Sequence, residues 1–172
     1  MNMNFVDKYN SMSNNDFSGL FNLVREIILE KMNKKRSHIL LGLIELGFNR
    51  GSFIGGLHIG GTNEIFLNKS ALKVMERESP REYYKAYIFI LLLHEYIHSV
   101  GVINELRTRK FTRVIAQDVF DSEHPVTKLA VEGIQKYFPY NFDARRYVPN
   151  AKERATIEFV NIIHPDSELT YQ

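Results

Sequence analysis

The chain of 172 residues contains no cysteine and no tryptophan. The absence of cysteine excludes disulfide bonds, thiol nucleophiles, iron–sulfur clusters and every zinc finger that depends on thiolates. Any transition metal bound by this chain must therefore be held by histidine and carboxylate side chains. The sequence offers six histidines and 20 aspartates and glutamates for this purpose.

Long hydrophobic runs and a strong charge of one sign are also missing. The longest apolar run, residues 86–93, is much shorter than the roughly 20 residues that a membrane span needs. Residues 1–15 are polar and lack the basic start and apolar core of a secretion signal. The 22 basic and 20 acidic residues leave a formal net charge of +2, which argues against nucleic acid as a partner. We therefore expect a cytoplasmic protein without a membrane segment.

Hydrophobic periodicity predicts an α+β fold with a small, mostly antiparallel sheet packed on helices. Asp16 is a good N-cap for a first helix with one apolar face. Glycine and asparagine clusters then separate short apolar segments that are typical of strands. The predicted strands are 39–46, 53–59 and 64–68, further helices are expected at 105–120 and 125–138, and residues 157–163 could form another strand. On this interpretation, residues 1–15 are a flexible N-terminus, 16–138 one domain, and 139–172 a C-terminal extension packed on it.

A central helix is predicted to begin at Ser79 and Pro80 and to stop at Gly101. Serine caps a helix, proline fits its first turn, and Glu82 completes a capping box. Glycine is a common residue just past a helix end. Because residues 86–93 are apolar on every side, this helix should be buried in the middle of the domain.

The central helix carries His94-Glu95-Tyr96-Ile97-His98, which matches H-E-x-x-H. Histidines four residues apart share a helix face, so both imidazoles can reach one zinc ion at about 2.0–2.1 Å. Glu95 lies beside the first histidine, where it can act as general base on a water molecule that zinc has made more acidic. Histidines and a glutamate on a buried helix need partners, and Zn²⁺ would supply them.

This motif resembles the active-site helix of the zincin metallopeptidases. The resemblance covers residues 94–101 and, more loosely, the order of strands before the helix. The compact size is similar to that of the very small archaeal zincins called minigluzincins. The resemblance implies a zincin-like fold, a zinc-dependent peptidase activity on a peptide or protein substrate, and a cleft under an edge strand that holds the substrate extended. Residues 64–68 are expected to be that edge strand.

The third zinc ligand is not given by the motif. The metzincin pattern is met through Gly101, but its third-ligand position holds Asn104, a poor zinc ligand. His124 is the preferred candidate, because it stands directly before Pro125 at a rigid helix entry. Acidic alternatives remain open, and these are Glu105, Asp121, Glu123 and Glu132.

The preference for His124 carries a geometric condition. A straight helix over residues 105–120 spans about 24 Å, so its far end must return to the zinc if His124 is to bind there. If the helix runs away from the zinc, Glu105 becomes the better candidate.

Two other functions are compatible with the sequence. The basic stripe formed by Arg107, Arg109, Lys110 and Arg113 would suit a catalytically weak zincin-like module that binds an acidic protein or nucleic acid. A zinc hydrolase acting on small amides instead of peptides is the other alternative, because H-E-x-x-H prepares a nucleophile and says little about the electrophile.

Further residues could contribute to the site. An electrophile for the tetrahedral intermediate could come from Tyr137, Tyr140, Tyr147 or Arg145, among which the sequence does not select. The C-terminal extension could cover the cleft, with His164 or Asp166 nearest to the metal.

Overall fold

The computed structural model describes residues 4–48 and 55–163. In this part of the chain it has eight α-helices and a four-stranded sheet, which confirms the predicted α+β class. The helices are α1 (Phe5–Ser11), α2 (Phe17–Met32), α3 (Lys69–Glu78), α4 (Arg81–Ser99), α5 (Glu105–Val119), α6 (Pro125–Glu132), α7 (Ile134–Tyr137) and α8 (Ala151–Arg154). The strands are β1 (Leu40–Ile44), β2 (Gly56–His58), β3 (Glu64–Asn68) and β4 (Glu158–Phe159).

The sheet is mixed, with the strand order β2-β3-β1-β4. The two outer pairings, β2 with β3 and β1 with β4, are antiparallel as predicted. The central pairing of β1 with β3 is parallel, with Leu41 opposite Ile65. Alternation within a strand shows which residues share a face but not the direction of the neighbouring strand, so this parallel pair could not be read from the sequence.

The expectation that residues 64–68 form an edge strand is wrong. This segment is β3, which lies between β2 and β1. Four of its five residues are buried, a pattern typical of interior strands. Among the described residues β2 forms the edge on this side, and part of its predicted range, 53–54, lies outside them.

Helix α4 is the buried centre of the fold, as predicted. It packs against α2, α3, α5, α6, β2 and β3. Side chains from Tyr84 to Leu93 are all buried, and the helix ends before Gly101, whose φ of 110° favours glycine. No helix within residues 4–48 and 55–163 is long and apolar enough to cross a membrane.

The predicted capping box at the start of α4 does not form. The Ser79 hydroxyl donates to the Met75 carbonyl and closes α3, so it makes no cap hydrogen bond to α4. Helix α3 itself was not predicted. The same side chain cannot close one helix and cap the next, and here the first role prevails.

Two further segments are shorter than predicted. The helix expected over 125–138 is divided into α6 and α7 at Gly133, whose φ of 93° interrupts helical geometry. Only Glu158–Phe159 of the segment 157–163 pairs with β1. Both differences arise where a local pattern continues beyond the point at which the backbone turns.

Part of the predicted flexible N-terminus forms α1. Its Tyr9 is buried, and the buried Lys85 ammonium of α4 donates to the carbonyls of Tyr9 and Met12. A lysine is expensive to bury, and these carbonyls together with the Tyr9 ring offset part of that cost. The division of the chain into three parts stays a prediction.

Candidate metal centre

The site begins with the two histidines of the motif on α4. The ring centroids of His94 and His98 lie 4.8 Å apart, with the ring planes at 80°. Both side chains are largely buried, with 19% and 17% of their surface exposed. The i, i+4 spacing therefore places both imidazoles at one point beside the helix, as predicted.

A short turn brings Glu105 to the two histidines. The chain reverses at Gly101, and the Asn104 side chain caps α5 by accepting from the backbone N–H of Arg107 at 3.0 Å. Glu105 is the first residue of α5, and its carboxylate oxygens lie 3.1 Å from His94 Nε2 and 3.0 Å from His98 Nε2. One ligand atom from each of the three residues lies within 4.8 Å of the others, and such a group could hold a metal ion.

The orientation of the His98 ring is fixed by contacts at Nδ1, the ring nitrogen that does not face Glu105. Its Nδ1 lies 2.7 Å from the Val102 carbonyl oxygen, which can only accept, so Nδ1 carries a proton. In the neutral ring the lone pair on Nε2 then faces Glu105. Thr108 supports the arrangement, since its hydroxyl lies 3.1 Å from the same carbonyl oxygen. A lone pair that faces a carboxylate needs a positive charge between them, either a proton or a metal ion.

The electrostatics favour the protonation states that metal binding requires. Burial lowers the pKa of His94, although Glu105 opposes the shift. Burial also raises the pKa of Glu105, but His94, His98 and Arg109 outweigh it and the pKa lies below its usual value. A neutral His94 and an ionised Glu105 are the forms in which these residues ligate a metal.

Glu95 is buried next to the candidate metal-binding group formed by His94, His98 and Glu105, on the side of β2. Burial raises the pKa of Glu95 to about 7, while a hydrogen bond from the His58 backbone favours the charged form. The strand approaches this closely because residue 56 is glycine: a Cβ at Gly56 would stand 3.3 Å from Glu95 Cγ and 3.2 Å from the Phe66 carbonyl oxygen. A carboxylate with a pKa near neutrality can both take and return a proton.

A cavity of about 610 Å³ adjoins these residues. It is lined at the site by His94, Glu95 and Glu105, and farther away by residues of β2, α4, α5 and α6. Ligand pockets usually measure about 300–1,000 Å³. The site therefore has space for a substrate group beside the candidate metal ligands.

The structure does not bring His124 to this group. Helix α5 carries the chain about 22 Å away from Glu105 before His124 is reached. There His124 caps α6, since its Nδ1 accepts from the Val126 N–H at 3.1 Å. Its ring packs against those of Phe120 and Tyr9. The helix thus runs away from the site, which is the condition under which Glu105 becomes the candidate ligand.

The other acidic candidates also lie outside the group. The Asp121 carboxylate accepts from the Glu123 backbone, and the Glu123 side chain pairs with Lys128 at 3.2 Å. Glu132 lines the cavity, but its carboxylate pairs with Lys136 at 2.8 Å. His164 and Asp166, proposed to lie near the metal, fall outside the described residues.

Of the four candidate electrophiles, Tyr140 lines the cavity. The Tyr147 hydroxyl donates to Glu78 at 2.9 Å, and Arg145 pairs with Asp143. The Tyr137 hydroxyl instead bonds to Glu132. These contacts direct three of the four side chains to other partners.

Arg109 and Tyr87 line the cavity, although the sequence patterns indicated a role in the site for neither of them. Arg109 Nε lies 3.2 Å from Glu105 Oε1, one helical turn away. Tyr87 lies on the same face of α4 as His94, at a spacing of seven residues, and that spacing is a signal that could have identified it.

Comparison with known proteins adds no assignment. No protein-family model matches the chain, and neither a curated protein nor a solved structure does. The interpretation of the site depends on the H-E-x-x-H motif and on the geometry given above.

We predict that His124 makes stability depend on pH. Burial lowers the pKa of His124, with Lys85 adding to the shift and Asp121 opposing it. The unfolded chain binds the proton at about pH 6.5, so protonation favours unfolding and stability falls as the pH drops through this value. In His124→Asn, which keeps a helix cap without titrating, urea unfolding should show a smaller loss between about pH 7.5 and about pH 5.5. Identical pH slopes in the two proteins would contradict this assignment.

We predict that Glu105 decides metal content. The purified protein should hold about one zinc per chain, measured by elemental analysis. Glu105→Ala and His98→Ala should each fall well below that ratio, because two ligands hold zinc much less firmly than three. His124→Ala and Glu132→Gln should retain the metal. Loss of zinc in His124→Ala with retention in Glu105→Ala would reverse the ligand assignment.

Proposed function

We propose that the chain is a zinc-dependent metallopeptidase of the zincin type. The observation that carries the proposal is the position of the Glu105 carboxylate, about 3 Å from both motif histidines, with Glu95 buried beside them. This is a His₂Glu donor set with a candidate base, the combination found in several hydrolytic zinc sites.

The donor set fits zinc better than a harder ion. Two imidazole nitrogens and one carboxylate suit Zn²⁺, whereas Mg²⁺ and Ca²⁺ prefer oxygen ligands alone. His94, His98 and Glu105 would hold the ion, and the fourth direction would be left to water and substrate. When bound, zinc supplies Lewis acidity, which lowers the pKa of a nearby water molecule and polarises a carbonyl group.

Residues of the chain itself would transfer the proton, orient His98 and exclude water. Glu95 takes the proton from the attacking water and returns it to the departing amine, a double role that a pKa of about 7 supports. Val102 and Thr108 hold His98 in the orientation that the metal needs. The apolar parts of the cavity exclude water around the substrate group that they contact.

Substrate in an extended form would suit the sheet edge. Within the described residues β2 has a strand partner only on the side of β3, and Gly56 of β2 stands directly against Glu95. A peptide segment that pairs with the free side of β2 would pass the candidate base. This role, expected for residues 64–68, is therefore proposed for β2.

The proposal predicts that Glu95→Gln retains zinc but loses peptidase activity. Glutamine keeps the shape of the side chain and cannot accept the proton, so kcat/KM on unstructured peptides should fall by about 10²–10⁴-fold. Glu132→Gln is the matched control, because it removes a carboxylate from the cavity wall without touching the metal-binding group. A Glu95→Gln protein as active as the parent would exclude this mechanism.

A second candidate function is binding of an acidic partner, and the outer face of α5 favours it. Arg107, Lys110 and Arg113 are exposed there, and no acidic side chain among the described residues forms an ion pair with them. Ile103 and Leu106 lie at the same end of the helix with 88% and 76% of their surface exposed. Arg109, which the sequence placed in the same stripe, instead contacts Glu105.

This second function predicts salt-dependent binding of an acidic peptide. Replacing Arg107, Lys110 and Arg113 together by glutamine should weaken the binding of a labelled glutamate-rich peptide and flatten its dependence on salt, measured by fluorescence anisotropy. The control is the triple replacement of Lys34, Lys35 and Lys152 by glutamine, which removes the same charge elsewhere. Equal weakening in both triple variants would show that only net charge matters.

A further inference from the structure

The wall of the cavity beside the candidate metal ligands combines apolar residues with the uncharged polar residues Tyr87, Thr112, Gln135 and Tyr140. Away from the histidines, its lining includes Ile90, Leu91, Leu129, Ala130 and Ile134. The charged lining residues Arg109 and Glu132 have 69% and 37% of their side-chain surface exposed, so they stand toward solvent. Tyr87 also lines the cavity, but it is fully buried.

The Tyr87 hydroxyl is buried without a hydrogen-bond partner among the described residues. Burial raises the pKa of Tyr87, so the hydroxyl is neutral and has a proton to donate. A buried hydroxyl without a partner is destabilising, and native structures contain few of them. Such a group in the wall of a cavity indicates that a ligand supplies the missing partner.

Gly55 places no side chain against this hydroxyl. A Cβ at Gly55 would stand 3.1 Å from the Tyr87 oxygen and 3.0 Å from a methyl carbon of Leu91. Gly55 lines the same cavity. A larger residue at this position would press a side chain against the hydroxyl, so glycine leaves room beside it where both residues line the cavity.

We propose that Tyr87 selects substrates in which a side chain next to the cleaved bond has an apolar body and a neutral hydrogen-bonding tip, as tyrosine has. This inference deepens the proposed peptidase function and rests on it. The apolar part of the wall accommodates the ring, and the Tyr87 hydroxyl pairs with the tip. An aliphatic or phenylalanine side chain leaves Tyr87 without a partner.

The first test uses p-cresol and toluene as probes, since they differ by one hydroxyl and need no catalysis. Binding is followed by the methyl NMR signals of Leu129 and Ala130. Replacing Tyr87 by phenylalanine should lower the ratio of p-cresol to toluene affinity by about 3- to 10-fold, the value of one hydrogen bond. Tyr83→Phe, on the same helix and outside the cavity lining, should leave the ratio unchanged. An unchanged ratio in Tyr87→Phe, or no binding of either probe, overturns the inference.

The second test compares peptide pairs that differ only in tyrosine or phenylalanine at one position near the cleaved bond. The parent should cleave the tyrosine peptide with the higher kcat/KM. In Tyr87→Phe the ratio of kcat/KM for the tyrosine peptide to that for the phenylalanine peptide should fall by about 3- to 10-fold. Cleavage without any preference overturns the inference and leaves the peptidase function intact. A Tyr87-dependent preference for p-cresol in a protein that cleaves no peptide supports the pocket and refutes the peptidase function.

Discussion

The burial of α4 on nearly all sides is the constraint on which the rest of the structure depends. Fourteen of its 19 residues are buried, and helices and strands surround it. In such surroundings a polar side chain is tolerated only where it finds a partner. Lys85 donates to the backbone carbonyls of Tyr9 and Met12, and Ser99 donates to the carbonyl of Tyr96. The imidazoles of His94 and His98 find the carboxylate at the start of α5, so the candidate metal centre lies at the one part of the helix where polar side chains converge.

The turn between α4 and α5 creates that convergence. Gly101 allows the reversal, and the Val102 carbonyl accepts from the His98 ring beside the Thr108 hydroxyl. Because Asn104 caps α5, the first residue of the helix must be Glu105, where an acid also interacts favourably with the helix dipole. The glycine, the hydrogen bond and the helix cap each stabilise the turn, and together they place the Glu105 carboxylate beside the two imidazoles. The same local contacts that end one helix and start the next thus assemble the donor set.

Some of this arrangement could be predicted from the sequence and some could not. The buried central helix, its end at Gly101 and the pairing of the motif histidines follow from periodicity and spacing, which are local properties. The choice between Glu105 and His124 depends on the direction of α5 in space, and no periodicity reports that direction. The parallel central strand pair and the interior position of β3 depend on tertiary pairing in the same way. Metal binding, catalysis and the identity of zinc stay predictions, since they concern what the site holds and does.

Gly56 of β2 and Gly55 directly before the strand connect recognition with chemistry. Gly56 lets the strand stand against Glu95, and Gly55 places no side chain against the Tyr87 hydroxyl. Tyr87, Leu91 and His94 follow one another on one face of α4, so the polar wall of the cavity and the candidate ligand share a rigid, buried helix. A Cβ at Gly55 would stand 3.1 Å from the Tyr87 oxygen and one at Gly56 would stand 3.3 Å from Glu95 Cγ, so a side chain at either position would crowd one of these two groups. The group that would take the proton, Glu95, and the group that would recognise the substrate, Tyr87, both lie on α4, so the helix fixes the distance between them, and the segment that includes Gly55 and Gly56 packs against both.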